Sequence, residues 1–387
     1  MVWTKINRKK FLILLASSAA GIFLTSCLSR MGAGRSAASL ISTSAGSAEA
    51  ETAEGTGADS GTNNEKEGEE SAENSKSTET ATQKSGARKS TKSLVGIAGA
   101  GLSSNLGAQV EKAVSLAGGL GFIKKGSIVL LKPNYNTGDP YPASTNPEII
   151  RHVIRLVKKQ DPYAILIGDR SSFWSSTLKC MKQNGVYEVA EQEGAELYPF
   201  DNEEWVSINP VSARAWPKGF TIPKLLIEAD YVISIPVIKT HSIAAFTMAI
   251  KNWVGILEPL QRTTGLHPFN NKKEAFGHML AELHLARVPD FVIMDGTKVF
   301  VDGGPTEGRA VAAGLVVASN DIIANDAAGL AILKTLGTIA KIQDYSVWSQ
   351  PQIDRAAELG FGAKKAGDIM IKSENVSAVD KIISNLA

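Results

Sequence analysis

From residue 94 onward the chain alternates short apolar runs, rich in β-branched residues, with segments of helical periodicity. That alternation leaves few folds open. Residues 94–98, 127–131, 164–167, 196–200, 231–237, 291–294 and 314–318 have the length and composition of buried strands. Between them, residues 107–116 read as a helix. Asn146-Pro147-Glu148 opens a second, with Ile149, Ile150, Val153, Ile154 and Val157 on one face. Residues 175–192 are helical with a break near Gly185, and Asp321 caps a further helix running to Leu333. Strands alternating with helices of this length predict an α/β domain over residues 94–387, a mostly parallel sheet flanked by helices on both faces.

Four of the runs end on clusters of ionisable or amide side chains: Lys132-Pro133-Asn134, Asp169-Arg170, Lys239-Thr240-His241 and Asp295-Gly296. Ligands of open α/β sheets bind outside the carboxyl ends of the strands, so these clusters fall where a site belongs. Lys132, Lys239 and Lys251 would bring up to three ammonium groups to one cleft, and clustered cations call for a carboxylate or phosphate. The plainer account is lysines whose stems pack along strand ends with their heads in water. Lys251 carries a condition: if residues 243–254 form one helix leaving the sheet edge, it lies roughly 12 Å along that helix. His241, following a strand end, is the expected base or metal ligand, with Asp169 and Asp295 as the carboxylates to orient it or share a divalent metal. His278 and Glu282 stand one helical turn apart, but Phe276, Met279, Leu280 and Leu283 claim the apolar face, which assigns that pair to solvent. Asp326 reads as a brace for a neighbouring loop.

Two loops stand out. Residues 258–272 carry Pro259, Arg262, Gly265, His267 and Pro268 without a period, as lids and binding loops do, and His267 would reach the cleft on closure. Residues 302–308 are glycine-rich but lack the strand-to-helix setting of a phosphate loop, so a turn is expected.

The first quarter of the chain has a different composition. Lys5, Arg8, Lys9 and Lys10 precede an apolar run over 11–24, the layout of an export signal. Leu24-Thr25-Ser26-Cys27 then resembles a bacterial lipobox, which implies cleavage after residue 26 and a lipidated Cys27 at the mature amino terminus. Asn7-Arg8-Lys9-Lys10-Phe11-Leu12 resembles a twin-arginine signal with lysine at the second arginine, so that route and general secretion both stay open. Residues 28–93, dominated by Ala, Ser, Thr, Gly and Glu, read as a disordered low-complexity tether. The expected location is extracytoplasmic, lipid-anchored to the cell membrane or to the periplasmic face of the outer membrane.

Only 2 cysteines occur, and with Cys27 assigned to lipid, Cys180 stands alone in a helical segment as a buried thiol. No iron-sulfur cluster is therefore ligated by this chain alone. The formal net charge is +2, with no basic strip interleaved with aromatics, which argues against nucleic acid as a partner. No Gly-x-Ser-x-Gly elbow or His-Glu-x-x-His pair is present.

The strand-end clusters, together with Ala249-Ile250-Lys251-Asn252, Ile222-Pro223, Ala318-Ser319-Asn320-Asp321, Asp326-Ala327-Ala328 and Glu358-Leu359-Gly360-Phe361-Gly362, resemble the bacterial and archaeal domain of unknown function 362 family. The resemblance implies an α/β fold and site positions rather than a reaction. Some relatives carry a ferredoxin-like module, whose cysteines are missing here, so a redox role would need a partner protein that brings the cluster. Lys132, Lys239 and His241 are the expected catalytic set, with Asn134, Thr240, Lys251 and Asn252 as further ligand contacts. Asp169, Asp295 and His241 are the expected set for a divalent metal, if one is bound. The expected function is binding of a small anion by a tethered lipoprotein, with acid/base or metal-assisted chemistry; solute capture without chemistry is the alternative.

Overall fold

The structure, a computed structural model, describes residues 92–101 and 105–387. The export signal, Cys27 and the tether up to residue 91 lie outside the described residues. The described part begins with strand β1 (Ser93–Gly99) and helix α1 (Leu106–Leu116). Then come β2 (Ile128–Lys132), α2 (Pro147–Lys158), β3 (Ala164–Asp169), α3 (Thr177–Gln183), α4 (Val186–Glu193) and β4 (Glu196–Pro199). A separate antiparallel hairpin, β5 (Trp205–Ile208) and β6 (Phe220–Pro223), precedes β7 (Tyr231–Ser234), β8 (Val237–His241) and β9 (Ala245–Thr247). The four-residue helix α5 (Ala249–Asn252) leads to α6 (Lys273–Glu282) and the long strand β10 (Phe291–Phe300). β11 (Ala310–Val311), β12 (Leu315–Ser319), α7 (Ile322–Leu336), α8 (Pro351–Glu358) and β13 (Ile369–Glu374) follow.

Eleven strands form one mixed, mostly parallel sheet in the order β13-β1-β12-β10-β7-β2-β3-β4, with β11 and β8 beside β10 and β9 beside β8. Along that order β12 alone runs against its neighbours, pairing antiparallel with both β1 and β10. The carboxyl ends of β2, β3, β7 and β10 therefore share one edge. The cap and periodicity expected for α2 are present: Asn146 accepts from the Glu148 amide at 3.0 Å, and Ile149, Ile150, Val153, Ile154 and Val157 are fully buried. Gly185, at φ +79°, makes the break between α3 and α4. Asp321 caps α7 through the amides of Ile323 and Ala324 and also accepts from the Ala363 amide, and Gly362 packs against its carboxylate too closely for a Cβ. Among the described residues no helix is long and apolar enough to cross a membrane. Cys180 is buried, as expected.

Three expectations need correction. The run over 231–237 is two strands, because Pro236 has no amide hydrogen to continue the ladder; β8 then pairs with β10 and β9 instead. Residues 243–254 are not one helix. After His241 the chain reverses into β9, with Ala245 at φ +66°, before α5 begins. Glu282 is not on a solvated face: it is fully buried, paired with Arg355 at 2.6 Å and accepting from the Ala215 amide, while His278 is half-buried.

Asp326, inside α7, is the brace that sets the short helix in place. Its two carboxylate oxygens accept from the amides of Ala249 and Ile250, at 2.7 and 3.0 Å. These are the donors that a helix amino terminus leaves open. Asp326→Ala should cost about 3 kcal/mol by leaving both amides buried without acceptors. A fall in the urea midpoint without a change in slope checks it, and an unchanged midpoint would refute the bracing role.

Candidate functional site

A cavity of about 230 Å³ lies at the carboxyl edge of β2 and β3, closed by the β8-β9 hairpin, α5 and the loop after it. Its polar wall includes Asn134, Lys239, His241, Thr247, Lys251 and Arg262. The strand period explains the hairpin's contribution. Lys239 and His241 alternate onto one face of β8, and Thr247 stands directly across from Lys239 in the register. Thr240 points to the opposite face, so it does not line the cavity.

Asp169 is the acidic residue of that wall, and its oxygens are taken. Oδ1 accepts from Lys132 Nζ at 2.5 Å and from the Arg170 amide at 2.9 Å; Oδ2 accepts from the Tyr135 amide at 2.7 Å. Lys132 is fully buried in this pair and also donates to the Pro133 carbonyl at 3.0 Å. Burial lowers the Lys132 pKa, and Asp169 opposes that shift. Lys132 is therefore spent on the cavity floor rather than facing a ligand, contrary to its expected role. Gly255 covers the pair: a Cβ there would meet Asp169 Oδ1 at 2.1 Å.

The remaining lysines differ from Lys132 and from each other. Lys239 Nζ donates to the carbonyls of Ala143 and Pro305 and to Asn134 Oδ1. Burial pulls its pKa down to about 7. Three acceptors around one nitrogen are nonetheless satisfied only by the three hydrogens of the ammonium, so we assign Lys239 as charged. Lys251 lines the cavity because α5 lies across the strand ends, which settles the condition set by the sequence. Asp326 holds the start of that helix, and Asn252 Nδ2 ties its end to the Lys132 carbonyl and Ser234 Oγ at 3.2 and 3.1 Å. Among the described residues Lys251 Nζ has no hydrogen bond or ion pair. Burial first, then Arg262 and Lys239, bring its pKa down to about 7.

His241 is placed at the cavity but in an unexpected state. Nδ1 accepts from the amides of Ile243 and Ala244, at 3.1 and 3.3 Å. Burial, reinforced by Lys251, Lys239 and His267, holds its pKa down to about 2. A neutral ring that accepts at Nδ1 carries its hydrogen on Nε2. It is then a donor, with no lone pair for the base or metal-ligand role expected of it. Asp295 is not at a strand end at all, because β10 runs on to Phe300; its carboxylate accepts from Tyr141 Oη and Thr297 instead. The expected metal set is thus dispersed, and among the described residues no three His, Cys, Asp or Glu side chains converge to hold a metal ion.

Two wall residues escaped the sequence. Arg262, buried, donates to the Ser171 carbonyl at 3.2 Å and to Asn136 Oδ1 at 2.5 Å, and so fastens the 258–272 loop over the cavity. The irregular loop marked that region but not which residue would turn inward. Thr247 is only 3 % exposed and its hydroxyl has no partner among the described residues. Only the pairing of β9 with β8 puts it there. His267 lines the cavity as well, on the loop expected to bring it.

A pH dependence follows from Lys251. Its folded-state pKa of about 7 lies below the unfolded value of about 10.4. Between these the unfolded chain binds more protons, so the stability of the ligand-free protein should rise with pH across that window. Lys251→Met should flatten the rise in urea midpoints measured over the same range; an unchanged slope would show that Lys251 is charged in the fold.

A thylakoid-associated protein of Synechocystis sp. is 29% identical over 212 residues, which cover 54% of this chain and 64% of that protein. This chain thus matches somewhat less than two thirds of that relative's length. The lactate racemase apoprotein of Thermoanaerobacterium thermosaccharolyticum aligns with 53% of the chain and 50% of its own, at 18% identity and a TM-score of 0.35. A Thermotoga maritima protein aligns with 50% of each chain, at 12% identity and a TM-score of 0.32. The model of the domain of unknown function DUF362 matches residues 129–331, more than half of the chain and the stretch that builds the cavity, and the chain belongs to that family.

Proposed function

We propose that the α/β domain binds a small anion, a carboxylate or a phosphate, in the cavity at the strand ends. One observation carries this. Lys251 ends in a cavity shared with Lys239 and Arg262, it has no acceptor among the described residues, and Asp169 is already occupied. Cations grouped in a cavity without a free counter-charge repel one another, and a ligand that supplies the charge offsets part of that cost. His241 Nε2 and the Thr247 hydroxyl add neutral hydrogen bonds for the rest of the ligand. Calorimetric titration of the mature protein with inorganic phosphate, acetate and pyruvate should show saturable binding of at least one of them. Arg262→Met and Lys251→Met should each weaken it by at least about tenfold, or 1.4 kcal/mol. If no anion binds, or the methionine variants bind as well as the parent, the proposal fails.

We also infer that the protein works outside the cytoplasm on a lipid anchor at Cys27. The basic start, the apolar run over 11–24 and Leu24-Thr25-Ser26-Cys27 support this. Palmitate labelling in a bacterial host should mark the parent chain. Cys27→Ser should lose the label and move the protein from the membrane to the soluble fraction; retention on the membrane would argue against the anchor.

A further inference from the structure

We propose that Lys251 captures a 2-oxo acid covalently, as an imine between its side-chain nitrogen and the ligand's carbonyl carbon. This rests on the anion-binding proposal for the same cavity and adds to it a reaction and a substrate class.

Three lysines share this edge of the sheet, Lys132 and Lys239 buried and Lys251 partly exposed in the cavity, and their surroundings divide them. Lys132 is locked to Asp169 at 2.5 Å. Lys239 has three oxygen acceptors, which hold it as ammonium. Lys251 has neither, so nothing in the described protein stabilises its proton. The charged or titratable groups acting on it are Arg262 and Lys239, with His241 and His267 coupled to it across the cavity. None of these is a carboxylate. A partly desolvated amine that shares a cavity with Arg262 and Lys239 and has no acceptor among the described residues is shifted toward its free base, which is the nucleophilic form. Its backbone is also held in place, because Asp326, the Asn252 side chain and the His284 ring, whose Nε2 lies 3.1 Å from the Ile250 carbonyl, fix α5.

The rest of the wall suits a carbonyl beside a carboxylate. Arg262 and Lys239 attract the carboxylate, leaving the amine for the adjacent carbon. The unpartnered Thr247 hydroxyl and the hydrogen on His241 Nε2 line the same cavity and would bond the carbonyl oxygen as charge builds on it. In the step itself the nitrogen lone pair forms the new bond to carbon while the carbonyl π pair moves to oxygen. Proton transfer from nitrogen to oxygen gives a carbinolamine. Loss of water then forms the carbon–nitrogen double bond, both amine hydrogens leaving with the oxygen. Nothing is oxidised or reduced.

The test is reductive trapping of the mature protein with pyruvate and cyanoborohydride, followed by intact mass and peptide mapping. A single reduced pyruvyl adduct is expected on the peptide bearing Lys251. It should saturate with pyruvate, form at least about tenfold faster than on surface lysines, and be suppressed by excess acetate. Lys251→Arg should abolish the adduct, while acetate binding to the parent protein, followed by calorimetry, reads the anion site separately. Pyruvate that binds without forming the adduct, or adducts spread over surface lysines, would overturn the imine and leave the anion site standing. Failure of pyruvate and acetate to bind at all would remove both.

Discussion

The ion pair between Lys132 and Asp169 is the constraint on which the site depends. Both side chains are almost wholly buried, and a buried pair of this kind tolerates the loss of one partner poorly, because the other remains as an uncompensated charge. Through Asp169 the pair reaches the amides of Tyr135 and Arg170, so one carboxylate joins the ends of β2 and β3 and starts both following loops in fixed directions. Gly255 lies against it with no room for a Cβ, which brings the backbone after α5 down onto the cavity floor. The electrostatic consequence is as important as the geometric one. With its carboxylate consumed below, the wall above is left with cations.

One residue type accordingly serves three purposes within one region. Lys132 is structural, Lys239 is an ammonium saturated by oxygen acceptors that fastens the residue 143 and residue 305 loops, and Lys251 is the amine left without a partner among the described residues. The distinction arises from acceptors, not from distance along the chain. Asp326 shows the same economy at longer range. Its carboxylate, fully buried in α7, substitutes for the missing first-turn acceptors of a four-residue helix that has too few internal hydrogen bonds to hold its own orientation.

Much of the architecture was legible in the residues. The β-branched runs, the Asn146-Pro147 start of α2, the Gly185 break and the Asp321 cap each rest on local chemistry: side-chain volume, a fixed φ, a left-handed turn, an oxygen two residues from an amide. The edge holding the site was legible too, since parallel strands bring their carboxyl ends together. The failures have a common origin in chain direction. Asp295 looked terminal because the apolar run stops at Met294, yet pairing with β8, β11 and β12 carries β10 on to Phe300. The hairpin after His241 has no strong turn signal, so its reversal, and with it the placing of Thr247 and Lys251, went unread. Glu282 sits at a polar position of its helix but meets Arg355 from a segment 73 residues away.

The alternation of strands and helices, the caps, and the ionisable clusters that close the apolar runs can be read along the chain, because each depends on a few neighbouring residues. Tertiary structure alone decided which lysine is paired, which nitrogen of His241 carries the hydrogen, and that Arg262 closes the cavity. Those outcomes depend on acceptors brought from distant segments. Charge state and hydrogen-bond direction in a buried site are properties of the assembled surroundings, and no local pattern encodes them.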